Sequence, residues 1–194
     1  MAEAEKMEKI RLSILTTSYN YGWCIEDNIQ SVLRQKTSFK YEHIIAWDKT
    51  QDNTEKVIHE YPHLKLSFSW NKRGQAKALN HALRMARGEI IGWINADDYY
   101  EGTTTFEQVM NIFDEDPNIA LVCGGYRIID ETRKIIIEKP DPISFHGVNI
   151  NDFVEFVRFI WQPTVFMRKQ SIIETGGFCE DIKYAIDKEL FLKI

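Results

Sequence analysis

Cysteine is scarce in this chain. Cys24, Cys123 and Cys179 are the three present, with no Cys-x-x-Cys spacing. An odd, scattered set makes neither a disulfide framework nor a thiolate zinc site, and fits buried thiols in a reducing compartment. Basic charge is not in excess: the formal net charge is −5, which argues against a general nucleic-acid binder. No apolar run reaches bilayer-spanning length. The charged stretch from Met1 to Lys9 lacks the apolar centre of a signal peptide. Together these absences predict a cytoplasmic protein without a transmembrane segment. The five histidines offer no obvious ligand set. His59 and His63 have helical ligand spacing, but Pro62 ends the helix between them. His43, His81 and His146 are isolated, so structural roles are expected.

What is present is a chain of 194 residues, 44% hydrophobic and 12% aromatic. That is enough to bury a core as one domain. Residues 1–194 are expected to form it, with residues 1–9 flexible. A helical pattern begun near Asp187 is still running at Ile194, which predicts a C-terminal continuation in a longer protein.

Strand and helix patterns alternate. Arg11 to Thr17 reads as a strand. Cys24 to Arg34 reads as a helix with Ile25, Ile29, Val32 and Leu33 on one face. Glu42 to Trp47 and Leu64 to Trp70 are further strands, separated by a helix over Asn53 to Glu60. Gln75 to Ala86 is a helix with the stripe Ala78, Leu79, Ala82, Leu83 and Ala86, stopped by Gly88. Ile90 to Ile94 is a fourth strand, Phe106 to Phe113 a helix, and Ile119 to Tyr126 a strand. Lys134 to Lys139 reads as an edge strand, Asn151 to Phe159 as a helix, and Thr164 to Met167 as a short strand. This order predicts an α/β fold with a mostly parallel sheet flanked by helices.

Asn95-Ala96-Asp97-Asp98 directly follows the fourth apolar run. Adjacent carboxylates repel and raise each other's pKa, a cost that a divalent cation removes. Mg²⁺ or Mn²⁺ takes one or two carboxylates plus phosphate oxygens, and ligands of open α/β sheets bind at the carboxyl ends of strands. The alternative is an ordinary solvated turn.

Several segments carry a resemblance in order and spacing. They are Ile14-Leu15-Thr16-Thr17-Ser18-Tyr19-Asn20; Ser31-Val32-Leu33-Arg34-Gln35; Asp48-Lys49-Thr50-Gln51-Asp52-Asn53-Thr54; Asn71 to Asn80; and Gly88-Glu89 with Asn95-Ala96-Asp97-Asp98. Gln162-Pro163-Thr164-Val165-Phe166-Met167-Arg168 and Gly176-Gly177-Phe178, with Asp187 and Leu190, follow. From Leu12 to Ile194 the chain resembles the inverting glycosyltransferases of family 2. The resemblance implies a GT-A, Rossmann-like fold with a small antiparallel acceptor-side portion. It implies transfer of a sugar from a nucleotide-diphosphate sugar, UDP- or TDP-linked, to a saccharide or lipid-linked acceptor hydroxyl in polysaccharide synthesis. The protein would then work in the cytoplasm or at the inner face of a membrane, and a homodimer is compatible with it.

The same resemblance assigns roles. Thr17, Ser18, Tyr19, Asn20, Asp48, Arg73, Lys77, Asn95, Asp97 and Asp98 fall on the donor side, with Asp97 and Asp98 at the Mg²⁺ or Mn²⁺. Trp161 and Gln162 fall on the acceptor side. Asp187 is the implied general base, against the plainer reading of a helix N-cap. Departures are visible: Asn95 and Trp47 replace frequent aspartates, Lys49 a frequent glycine, and Ile186 a frequent glutamate. They keep open a catalytically idle donor-binding module of a larger protein. A nucleotidyltransferase would need a glycine-rich basic loop where Ser18-Tyr19-Asn20-Tyr21 stands.

Overall fold

The structure is a computed structural model and describes residues 9–69, 74–139, 157 and 160–194. It opens with three strand–helix units: β1 (Ile10–Ser18) and α1 (Ile25–Leu33), β2 (Lys40–Asp48) and α2 (Thr54–His59), β3 (Lys65–Ser69) and α3 (Gln75–Met85). β4 (Ile90–Asn95) and α4 (Thr105–Glu115) follow. The rest comprises β5 (Leu121–Cys123), β6 (Tyr126–Ile129), β7 (Ile135–Lys139), a 3₁₀ turn at Gln162–Thr164, β8 (Val165–Arg168), α5 (Lys169–Glu174) and α6 (Ile186–Phe191).

The main sheet runs β3-β2-β1-β4-β8-β5. Its first four strands are parallel, and β8 lies antiparallel to both β4 and β5. β6 and β7 form a separate antiparallel pair. The parallel strands are apolar runs because both faces are covered. Leu15, Ile44, Leu79 and Trp93 pack on the α3 side. Leu12, Ile14, Ile90, Phe106 and Phe166 form a second cluster with α4 residues, and Ile25, Ile29, Ile45 and Ile58 a third with α1 and α2. The α/β reading with a mostly parallel sheet and a small antiparallel part therefore holds.

Chain order reverses direction between β1 and β4. Strands β2 and β3 go to one side of β1 and β4 to the other, so a crevice opens at their carboxyl ends. Pairing of Thr17 with Asn95 sets those two ends side by side.

Four local expectations need correction. The strand expected over 119–126 is two strands in different sheets, divided at Gly124-Gly125, where missing side chains weaken a strand. Gly88 does not stop α3, because Ala86 is already extended (φ −64, ψ 134). Gly88 is needed for contact instead: a Cβ there would meet Ser13 N at 2.5 Å, and its N–H donates to Ser13 Oγ at 2.9 Å. Leu33 is 45% exposed, off the buried face of α1. Asp187 is not an N-cap: Ala185 takes that position with φ 56, and Asp187 lies in the first turn of α6. The helix expected over 151–159 lies outside the described residues except at Val157.

Candidate active site

A cleft of about 440 Å³ opens at the carboxyl ends of β1 and β2 and the start of α3. Its lining includes Thr17, Ser18, Tyr19, Tyr21, Asp48 and Gln75, and its volume falls in the range of small-ligand pockets. Gly74, also in the wall, enters α3 with φ +88, a conformation suited to glycine. α3 carries no acidic residue in its first turn, so its own side chains there do not offset the positive end of its dipole. Ser18 Oγ is buried without a hydrogen-bond partner among the described residues.

The acidic turn follows β4. The Asp98 N–H donates to the Asn95 carbonyl at 3.1 Å. Asp97 is exposed and Asp98 half-buried. Burial, then repulsion from Asp97, pushes the Asp98 carboxyl up to about 7. The same negative field reaches α1: the Cys24 thiol is pushed up to about 12 by burial and then by Asp97, and burial, Asp97 and Asp98 raise Tyr21. No group of three His, Cys, Asp or Glu side chains suited to a metal occurs among the described residues. A two-carboxylate donor set nonetheless suits a hard divalent cation that completes its shell with water and phosphate oxygens.

Asn95 is a hub. Its Oδ1 accepts from Gln75 Nε2 at 2.9 Å, Trp93 Nε1 at 3.2 Å and Thr17 Oγ1 at 3.3 Å. Its Nδ2 donates to Gln162 Oε1 at 2.9 Å. Gln162 in turn donates through Nε2 to the Trp93 carbonyl at 2.5 Å. Both amides placed on the donor and acceptor sides by sequence thus spend these bonds within the fold, joining β1, β4, α3 and the 3₁₀ turn.

The other expected residues are placed as follows. Asn20 has φ 60 and accepts the Gln51 N–H at 2.9 Å. Asp48 ends β2, and its Oδ1 accepts the Lys49 N–H at 2.7 Å. Lys77 is exposed on α3, and Arg73 lies outside the described residues. Trp161 is 41% exposed and stacks on Tyr126 of β6, with centroids 4.7 Å apart. Asp187 Oδ2 lies 3.6 Å from Lys188 Nζ, and that ammonium also donates to the Ile160 carbonyl, beside Trp161. His43 and His81 bond Thr16 and Ser67 inside the fold.

Sequence reasoning missed Gln75, Tyr126 and Asn28. Asn28 had a signal: it is a polar residue on the apolar stripe of α1. Gln75 and Tyr126 had none, because their partners are set by tertiary contact alone.

Residues 13–176 match the family model described as Glycosyl transferase family 2. UDP-Glc:alpha-D-GlcNAc-diphosphoundecaprenol beta-1,3-glucosyltransferase WfgD of Escherichia coli is 30% identical over 126 residues, covering 64% of this chain and 49% of that protein. The crystal structure of S. aureus TarS 1-349 in complex with UDP matches with TM-score 0.72 and 22% identity, over 94% of this chain and 54% of that one. The mannosyltransferase PcManGT from Pyrobaculum calidifontis, in complex with GDP-Man and Mn²⁺, matches with TM-score 0.67 and 20% identity, over 95% of this chain and 51% of that one. This chain spans between 31% and 58% of the length of the first curated relatives it matches.

Proposed function

The chain belongs to glycosyl transferase family 2 and has the GT-A fold, and from that premise we propose that it is the catalytic domain of a metal-dependent, inverting glycosyltransferase. The observation that carries this reading is the acidic turn of Asp97 and Asp98 at the end of β4, next to β1, whose end helps wall the cleft. The nucleoside fits the cleft wall, where Asp48 at the end of β2 would accept a nucleobase ring N–H. The diphosphate fits the start of α3, where Gly74 and Gln75 line the cleft and the helix dipole favours an anion. Asp97 and Asp98 would hold Mg²⁺ or Mn²⁺, which supplies Lewis-acid stabilisation of the leaving diphosphate. Support for Mn²⁺ comes from PcManGT, solved with that ion.

Bond breaking at the anomeric carbon builds positive character on the sugar. An acceptor hydroxyl attacking from the opposite face must lose its proton, and Asp187 is the base we assign. TarS was solved with UDP, and the name of WfgD states a UDP-glucose donor and a diphosphoundecaprenol-linked acceptor. These favour a UDP-sugar donor and a lipid-linked saccharide acceptor in polysaccharide synthesis, with action at the inner face of a membrane. No described helix is long and apolar enough to cross one.

Calorimetric titration of UDP, TDP, GDP and CDP, each with Mn²⁺ and with a chelator, tests the donor site. One diphosphate, UDP, is expected to bind selectively and far more tightly with metal than with chelator, and Asp97→Ala is expected to abolish that enhancement. Binding of none of them overturns the donor-site reading and favours an idle module; unchanged Mn²⁺-dependent affinity in Asp97→Ala refutes the metal assignment.

A further inference from the structure

Asn28 is fully buried on the same helix face as Ile25, Ile29 and Val32. A buried amide in an apolar stripe needs partners, and this one finds them on two other elements. Its Oδ1 accepts from Thr16 Oγ1 of β1 at 3.2 Å. Its two Nδ2 hydrogens go to the acidic turn, one to the Asn95 carbonyl and one to the Asp98 carbonyl, each at 2.9 Å. These are the first and last residues of the turn that displays Asp97 and Asp98. The Asn95 carbonyl also takes the Asp98 N–H, so Asn28 braces from α1 the turn that this bond closes.

Ser31 of α1, and Arg34 and Gln35 just past its end, continue the contact further along the loop. Ser31 Oγ accepts the Tyr100 N–H at 3.1 Å. Gln35 donates to the Gly102 carbonyl at 2.6 Å and accepts the Phe106 N–H at 3.4 Å. Arg34 donates to the carbonyls of Tyr100 and Glu101. Of these four, Asn28 alone holds the backbone of the acidic residues. The others hold the segment after them.

We infer that Asn28 is a positioning residue for the donor site: by tying both ends of the turn to α1 and β1, it fixes where Asp97 and Asp98 present their carboxylates to a divalent cation. This rests on the reading of those two residues as metal ligands. Groups that orient a ligand from behind govern affinity without touching the ion, and their loss commonly weakens binding by about 10- to 100-fold.

The test compares Asn28→Ala with Gln35→Ala, which loosens the far end of the same loop. UDP is titrated with Mn²⁺ and with a chelator, and each variant is melted. Asn28→Ala is expected to weaken Mn²⁺-dependent UDP binding by about 10- to 100-fold while leaving the chelator value within about twofold. Gln35→Ala is expected to keep the Mn²⁺ enhancement despite a similar fall in Tm. Asn28→Ser, which retains one donor, serves if the alanine variant does not fold, and is expected to lose less. Retention of the full enhancement in Asn28→Ala or Asn28→Ser overturns the inference, as does an equal loss in Gln35→Ala. Wild-type protein that binds UDP no better with Mn²⁺ than with chelator refutes the metal reading itself, and the inference falls with it.

Discussion

Asn95→Asp exchanges one atom and reverses one hydrogen bond. The new carboxylate still accepts from Gln75, Trp93 and Thr17, so three of the four bonds survive. The fourth does not: where Nδ2 donated to Gln162 Oε1, two acceptors now face each other. Rotating the Gln162 amide would present its donor to the carboxylate, but it would take that donor from the Trp93 carbonyl. Either way one buried acceptor is orphaned, at a cost of about 1–3 kcal/mol. Stronger charge-assisted bonds to the carboxylate offset part of this, leaving a net loss of about 1–2 kcal/mol. For a chain of this size that is a fall in Tm of roughly 2–8 °C. Protonating the new carboxyl gives back an O–H donor for Gln162, so the deficit should shrink from pH 8 toward pH 5. The measurement is the difference in Tm between variant and wild type across that range. An equal or higher Tm for the variant at pH 8, or a deficit that grows on acidification, would refute the network.

Three further outcomes are expected. Asp187→Asn should spare UDP binding while lowering sugar transfer by about 10²-fold or more; normal turnover with a UDP-sugar would remove Asp187 as the base. Gly88→Ala drives a methyl to 2.5 Å from Ser13 N and 2.6 Å from the Leu12 carbonyl carbon, both backbone atoms of β1. Urea unfolding should show a loss of about 1–3 kcal/mol or more, and an unchanged midpoint would contradict the contact. His43 is buried and held neutral, its pKa lowered from 6.5 to about 3, first by burial and then by His63. Between those values the unfolded chain binds the extra proton, so stability falls as pH drops below 6.5, by up to about 1.4 kcal/mol per pH unit. His43→Asn should flatten that limb of the stability–pH curve; an unchanged slope between pH 4 and 6.5 would show that other groups set it.

The parallel half of the fold was legible because its strands are continuous apolar runs and α3 carries the buried stripe Ala78, Leu79, Ala82 and Leu83. Fold class and the acidic turn follow from such local patterns. The division at Gly124-Gly125 was missed because apolar residues flank it on both sides, and pattern alone does not say which sheet each flank joins. Gly88 looked like a helix stop because proximity to β1 is invisible in sequence. Gln162 was placed on the acceptor side by resemblance, and the bonding of its amide to Asn95 and Trp93 could not be read from the sequence. That use depends on β8 running antiparallel to β4, which brings the start of β8 to the end of β4. Asn28 was the one miss with a readable trace, since an amide within an apolar helix face asks for buried partners.

The bond between Asn95 and Gln162 joins residues 67 positions apart. Together with the β4–β8 pairing, it pins the departure and return of the chain at one place on the sheet. Everything between leaves from that point and comes back to it. Lengthening such an excursion adds closure entropy only logarithmically, about 0.6 kcal/mol per doubling. Within that stretch α4 is held in the core and β5 in the main sheet, so it is the separate β6–β7 pair that is open to insertion or exchange while the acidic turn and the 3₁₀ turn stay in register.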